Sequence, residues 1–99
     1  MKDFQRAISS GHQVLLDFFA EWCGSCQVLE PVLNEVEKEL SESIRIIPVD
    51  IDKNPALVKI FKIRTVPTLI LFKNGTEAWR KSGLFSKKDL LELLDKQNL

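Results

Sequence analysis

The stretch that most constrains the fold is Val14-Leu15-Leu16-Asp17-Phe18-Phe19-Ala20, an apolar run broken by one acid. Such a run predicts a strand buried on both faces, as in the middle of a parallel or mixed sheet. A sheet centre needs neighbours. Ile44-Arg45-Ile46-Ile47-Pro48-Val49-Asp50 is rich in β-branched residues and predicts a second strand, and Thr68-Leu69-Ile70-Leu71-Phe72 a third. The third runs into Lys73-Asn74-Gly75-Thr76, where Asn-Gly is the strongest short hairpin signal, so a fourth strand is expected over residues 77–83.

Helices fill the intervals. Val28, Leu29, Val32, Leu33, Val36 and Leu40 recur at three- and four-residue spacing just after Cys26, with a kink expected at Pro31. Asn54-Pro55 reads as an N-cap followed by proline at the first helical position, opening a short helix to residue 61. Ser86-Lys87-Lys88-Asp89 resembles a capping box before Leu90, Leu91, Leu93 and Leu94. A short first helix is expected over residues 3–9, ending at Gly11. The order α-β-α-β-α-β-β-α makes the first two strands parallel, with a right-handed crossover, and the last two antiparallel. The fold class is α/β: a mixed four-stranded sheet flanked by about four helices.

Ninety-nine residues, 44% hydrophobic and 28% charged, suit one domain over residues 1–99 with an adequate core. No apolar run approaches the roughly 18–20 residues of a membrane span, and no secretion signal is visible, so a cytoplasmic protein is expected. Residues 1–52 hold four basic against ten acidic side chains, and residues 53–99 hold ten against four. The dispersed basic residues do not make a nucleic-acid footprint. Solvated faces of opposite sign explain the asymmetry more simply than steering of a charged partner.

Trp22-Cys23-Gly24-Ser25-Cys26 falls between the first strand and the following helix. The spacing lets both sulfurs approach bonding distance, and the helix N-terminus favours a thiolate at Cys23. Gly24 and Ser25 add little bulk, so Cys23 is expected to stay exposed while Cys26 turns inward. An exposed thiolate beside a second thiol suits thiol–disulfide exchange: one sulfur attacks and the other resolves the mixed disulfide. A metal half-site is a poorer reading, because the chain has no second CxxC and a single histidine, His12. A purely structural disulfide closing so small a loop would constrain the unfolded chain very little.

Asp17 is the second anomaly. A carboxylate within an apolar central strand is costly to bury, and burial should raise its pKa. That suits an acid–base partner for Cys26, six residues before Cys23; a structural Asp tied to backbone groups is the alternative. Thr65-Val66-Pro67-Thr68 is the third, since proline at a strand start is compatible with a cis bond without requiring one.

Residues 17–26, Asp-Phe-Phe-Ala-Glu-Trp-Cys-Gly-Ser-Cys, resemble the active-site segment of the thioredoxin family. Pro31, Asp50-Ile51-Asp52-Lys53-Asn54-Pro55, Val66-Pro67-Thr68, Phe72-Lys73-Asn74-Gly75 and Gly83 continue the match in order. The resemblance implies a thioredoxin fold with strand order 2-1-3-4 and a protein-disulfide reductase. Cys23 would be the nucleophile, Cys26 the resolving thiol, Asp17 the buried proton acceptor and Pro67 a cis-proline beside the disulfide. The backbone of Val66 would pair with an extended substrate, and Trp22, Gly24, Ser25, Val66, Pro67 and Gly83 would make up the substrate-binding surface. Disulfide-containing proteins would be the substrates and an NADPH-dependent flavoprotein thioredoxin reductase the electron donor. No bound cofactor or metal is implied, and a monomer is expected.

Three departures stand out. Ser25 replaces the proline usual in the family, which frees an N–H near the thiolate and loosens the turn. Pro48 stands where the family often has a lysine near the buried aspartate, leaving the Asp17 pKa governed more by desolvation. The family's usual first strand has no counterpart, so residues 44–50 are expected at a sheet edge, where Pro48 and Arg45 are suitable residues. A disulfide oxidase or isomerase of an oxidising compartment, and a non-enzymatic adaptor using only the fold, are the alternative functions.

Overall fold

The computed structural model describes residues 13–98. The helix expected over residues 3–9 lies outside them. The described chain runs β1 (Gln13–Phe19), α1 (Gly24–Glu39), β2 (Ile44–Asp50), α2 (Pro55–Phe61), β3 (Thr68–Lys73), β4 (Thr76–Ser82) and α3 (Lys87–Asn98). The sheet order is β2-β1-β3-β4. β1 pairs in parallel with β2 and antiparallel with β3, and β3 pairs antiparallel with β4. This is the expected thioredoxin fold, with three described helices.

β1 is the sheet centre that its apolar run predicted, and Val14, Leu15, Leu16 and Phe18 are fully buried. Alternation along the strand divides them between two cores. Leu15 packs with Leu29, Leu33 and Val36 of α1 and with Leu90 and Leu94 of α3. Val14, Leu16 and Phe18 face the other way, against Leu57 and Phe61 of α2. The Phe61 ring sits between Phe18 and Phe72, at centroid distances of 5.9 and 5.6 Å. Asp17 shares the parity of Leu15 and therefore lies under α1.

β2 is at the sheet edge among the described residues. Its Ile51 end donates inward to Phe19 O, so residues 44, 46 and 48 point their backbone groups outward. Ile44 N–H donates to Leu40 O at 2.9 Å, Ile46 N–H donates to Glu37 Oε2 at 3.1 Å, and Pro48 has no N–H. The outward donors over residues 44–48, which would template another strand, are thus used or missing.

Some local readings needed correction and others hold. α1 starts at Gly24, before the apolar repeat, and continues past Pro31, which removes only the N–H that would bond Gln27 O. β4 begins at Thr76 and ends at Ser82, because Gly83 leaves the strand at φ +102°. Asn54 holds the N-cap position of α2 but its side chain makes no cap bond; Nδ2 donates instead to Asp50 O at 2.9 Å. The hairpin turn has Asn74 and Gly75 at φ 53° and 80°, the left-handed pair that a type I′ turn demands. Ser86 caps α3, its Oγ accepting from Asp89 N–H at 3.1 Å.

Candidate functional site

β1 delivers the chain to a tight junction. After Phe19 and buried Ala20, Cys23 N–H donates to Ala20 O at 3.2 Å, and Cys23 takes the N-cap of α1. Its side chain does the capping: Sγ accepts the Cys26 N–H at 3.1 Å. The sulfur therefore occupies the place a serine or aspartate oxygen fills at other helix starts, where partial positive charge gathers. Cys23 and Cys26 form a disulfide with their Cα atoms 5.3 Å apart.

The expected contrast in exposure is absent. Cys23 is 6% exposed and Cys26 7%. In the disulfide each sulfur covers the other, and Phe19, Ile51 and Val66 pack around them with Ala20. Ser25 Oγ lies 3.4 Å from Cys23 Sγ, and the Val66 carbonyl oxygen lies 3.8 Å away. Gly24 beside them has open space around it.

Val66 arrives from a distant part of the chain, on a loop held from both sides. The Val66–Pro67 peptide is cis. Thr68 Oγ1 donates to Thr65 O at 2.7 Å and meets Ser82 Oγ at 2.9 Å. Gly83 N–H donates to Pro67 O at 3.1 Å. Nothing crowds the position of a Gly83 Cβ, so its positive φ, not lack of room, is what asks for glycine. Trp22 is 69% exposed, yet its ring is tied down by Nε1 donating to Asp52 Oδ2 at 2.9 Å. The structure thus gathers Trp22, Ser25, Val66 and Cys23 at one end of the sheet, with Gly83 bonded to the Val66–Pro67 loop.

Asp17 lies on the other side of Cys26. It lines a partly open cavity of about 530 Å³ between β1, β2 and α1, shared with Cys26, Glu30, Glu37 and Pro48. The carboxyl is half-buried. Its pKa is pushed up to about 6, first by burial and then by the neighbouring Glu30 charge. Pro48 is its direct register partner on β2, so no cation comes from that side.

Sequence reasoning missed two residues here. Asp52 orients Trp22, and the parallel β1–β2 pairing that brings the two strand ends together is the signal that could have found it. Glu30 stands four residues after Cys26, and helical spacing alone puts it over the same cavity.

A disulfide pair at a β-to-α junction, capping the helix beside an anchored cis-proline loop, defines a thiol–disulfide oxidoreductase. The thioredoxin family model matches residues 1–96. A thioredoxin from Chlamydia trachomatis is 45% identical over 95 residues, covering 96% of this chain and 91% of that protein. One from Rickettsia typhi is 40% identical over 89 residues, covering 90% and 85%. A mutant thioredoxin from Halobacterium salinarum superposes with a TM-score of 0.89 at 33% identity, over 97% of this chain and 83% of that one. The chain belongs to the thioredoxin family, whose chemistry is dithiol–disulfide exchange.

Proposed function

We propose that this protein reduces disulfides in other proteins, with Cys23 attacking, Cys26 resolving and Asp17 accepting the Cys26 proton. The observation that carries the reading is the Cys26 N–H bonded to Cys23 Sγ at the start of α1, which favours a thiolate there. The Cys23 thiolate attacks one sulfur of the target disulfide. A mixed disulfide forms, and the other target sulfur departs with the electron pair. Cys26 then gives its proton to Asp17 and attacks Cys23 Sγ. The second target thiolate leaves, and the Cys23–Cys26 disulfide holds the oxidising equivalent.

The target would dock on Trp22, Gly24, Ser25, Val66, Pro67 and Gly83, with its extended backbone beside Val66. An NADPH-dependent flavoprotein thioredoxin reductase would return the two electrons. The reading places one domain over residues 1–99, acting as a monomer in the cytoplasm; no described helix is long and apolar enough to cross a membrane. Insulin reduction by dithiothreitol tests the reading. The wild type is expected to accelerate it and Cys23→Ser to fall to the uncatalysed rate; retained activity in Cys23→Ser contradicts it.

One observation favours a second reading. The Ser25 hydroxyl near Cys23 Sγ stabilises a thiolate, hence the dithiol form, and so raises the potential toward that of an oxidase. Equilibration with glutathione separates the two. The expected potential lies near the general thioredoxin value of about −270 mV, and one well above about −200 mV supports the oxidase.

A further inference from the structure

The cavity beside Cys26 has an unusual charge pattern. Four carboxylates line it, Asp17 from β1, Glu21 from the following turn, and Glu30 and Glu37 from α1, and among the described residues no basic side chain does. β2 contributes uncharged Ile46 and Pro48, and Leu69 of β3, opposite Asp17, is apolar. Two of the four have partners: Glu37 accepts from Ile46 N–H, and Glu21 Oε1 lies 3.8 Å from Lys53 Nζ. Glu30 sits one turn beyond Cys26 on the same helix face and lines the same cavity as Cys26 and Asp17.

We propose that Glu30 is a positioning residue for the resolving step, its negative charge acting across the cavity to make the Asp17 carboxylate a stronger base for the Cys26 proton. The proposal rests on the exchange mechanism above and adds a residue to it. A like charge facing Asp17, with no cation lining the cavity among the described residues, favours the protonated carboxyl. A base whose conjugate acid is weaker draws a thiol proton more readily. The elevated Asp17 pKa, with Glu30 as its second cause, agrees. The proton passes from Cys26 Sγ to Asp17 and then to solvent through the cavity. The electron pair left on Cys26 Sγ makes the new S–S bond.

The resolving step can be followed with an aryl disulfide reagent whose coloured thiolate leaves without needing a proton. The first equivalent reports Cys23 attack and the second reports Cys26. In the wild type the second phase speeds up as Asp17 ionises. Glu30→Gln is expected to move that acid limb down by about 0.3–1 pH unit and to slow the neutral plateau by about 2- to 10-fold. Glu30→Lys should move it further the same way, and Glu30→Asp should restore most of the midpoint. Glu35→Gln loses the same charge but faces Lys87 of α3, and should leave the limb in place. Carboxyl carbon NMR of Asp17 should show the same ranking without any turnover. The role of Glu30 is overturned if both limb and titration stay put in Glu30→Gln and Glu30→Lys, or if Glu35→Gln shifts them equally. A wild type that exchanges no disulfide overturns the reductase reading instead, while the Asp17 titration still tests Glu30.

Discussion

The two sides of the disulfide are built from different materials. On one side lie an exposed Trp22, the Val66–Pro67 loop and Gly83, apolar surfaces and backbone groups that offer little to a proton. On the other lie Asp17, Glu30 and Glu37, around a cavity that no basic side chain lines among the described residues. Both cysteines are buried alike, so exposure does not tell them apart. Their neighbours do: Cys23 Sγ lies near Val66 O and Ser25 Oγ, and Cys26 lines the cavity that the carboxylates share. The contrast supports the proposed division, with partner capture on one side and proton handling on the other.

The strongest way to break that division is Asp17→Asn. It should slow the resolving phase at neutral pH by about 10²-fold while leaving the Cys23 attack within about twofold, measured as separate phases. Equal slowing of both phases would erase the contrast. The same substitution should show a thermodynamic cost. The folded Asp17 carboxyl titrates near 6 against 3.8 unperturbed, so the folded state binds the extra proton in that window and loses stability as pH rises through it. Asp17→Asn is therefore expected to be more stable than wild type by about 1–3 kcal/mol at pH 7, with the gain gone below about pH 4, by urea unfolding.

On the capture side, Trp22→Ala should lower kcat/KM for a protein disulfide about tenfold with the resolving phase unchanged. Asp52→Asn should give a smaller loss, because it loosens the ring without removing it. A change remote from both sides sharpens the comparison further. Lys62 ends α2 in the left-handed conformation at φ 55°, so Lys62→Gly should add about 0.5–1 kcal/mol of stability and leave both phases alone.

Much of the framework was legible because its signals are local. The bounds of β2 match its β-branched run, and the Asn74-Gly75 turn adopts the backbone its residues favour. The roles suggested for Cys23 and Cys26 follow from the thioredoxin resemblance, and that of Asp17 from a carboxylate's place in an apolar strand. What stayed hidden depends on contacts between distant segments. Nothing near Cys23 itself announces that Val66, 43 residues on, will cover it; only the thioredoxin resemblance put Val66 and Pro67 beside the disulfide. Asn54 looks like a cap until the Asp50 carbonyl competes for its side chain. Glu30 reads as an ordinary exposed helix residue until β1 puts Asp17 beneath it. Glu37 likewise becomes an edge cap only when β2 brings Ile46 N–H within reach.

Trapping tests the division of labour most directly. A disulfide-bearing target is mixed with Cys26→Ser and, separately, with Cys23→Ser, and the products are mapped under non-reducing conditions. The expected result is a persistent adduct through Cys23 in the first variant and none in the second. An adduct of equal yield through Cys26 in Cys23→Ser would contradict the assignment of attack to one sulfur and resolution to the other.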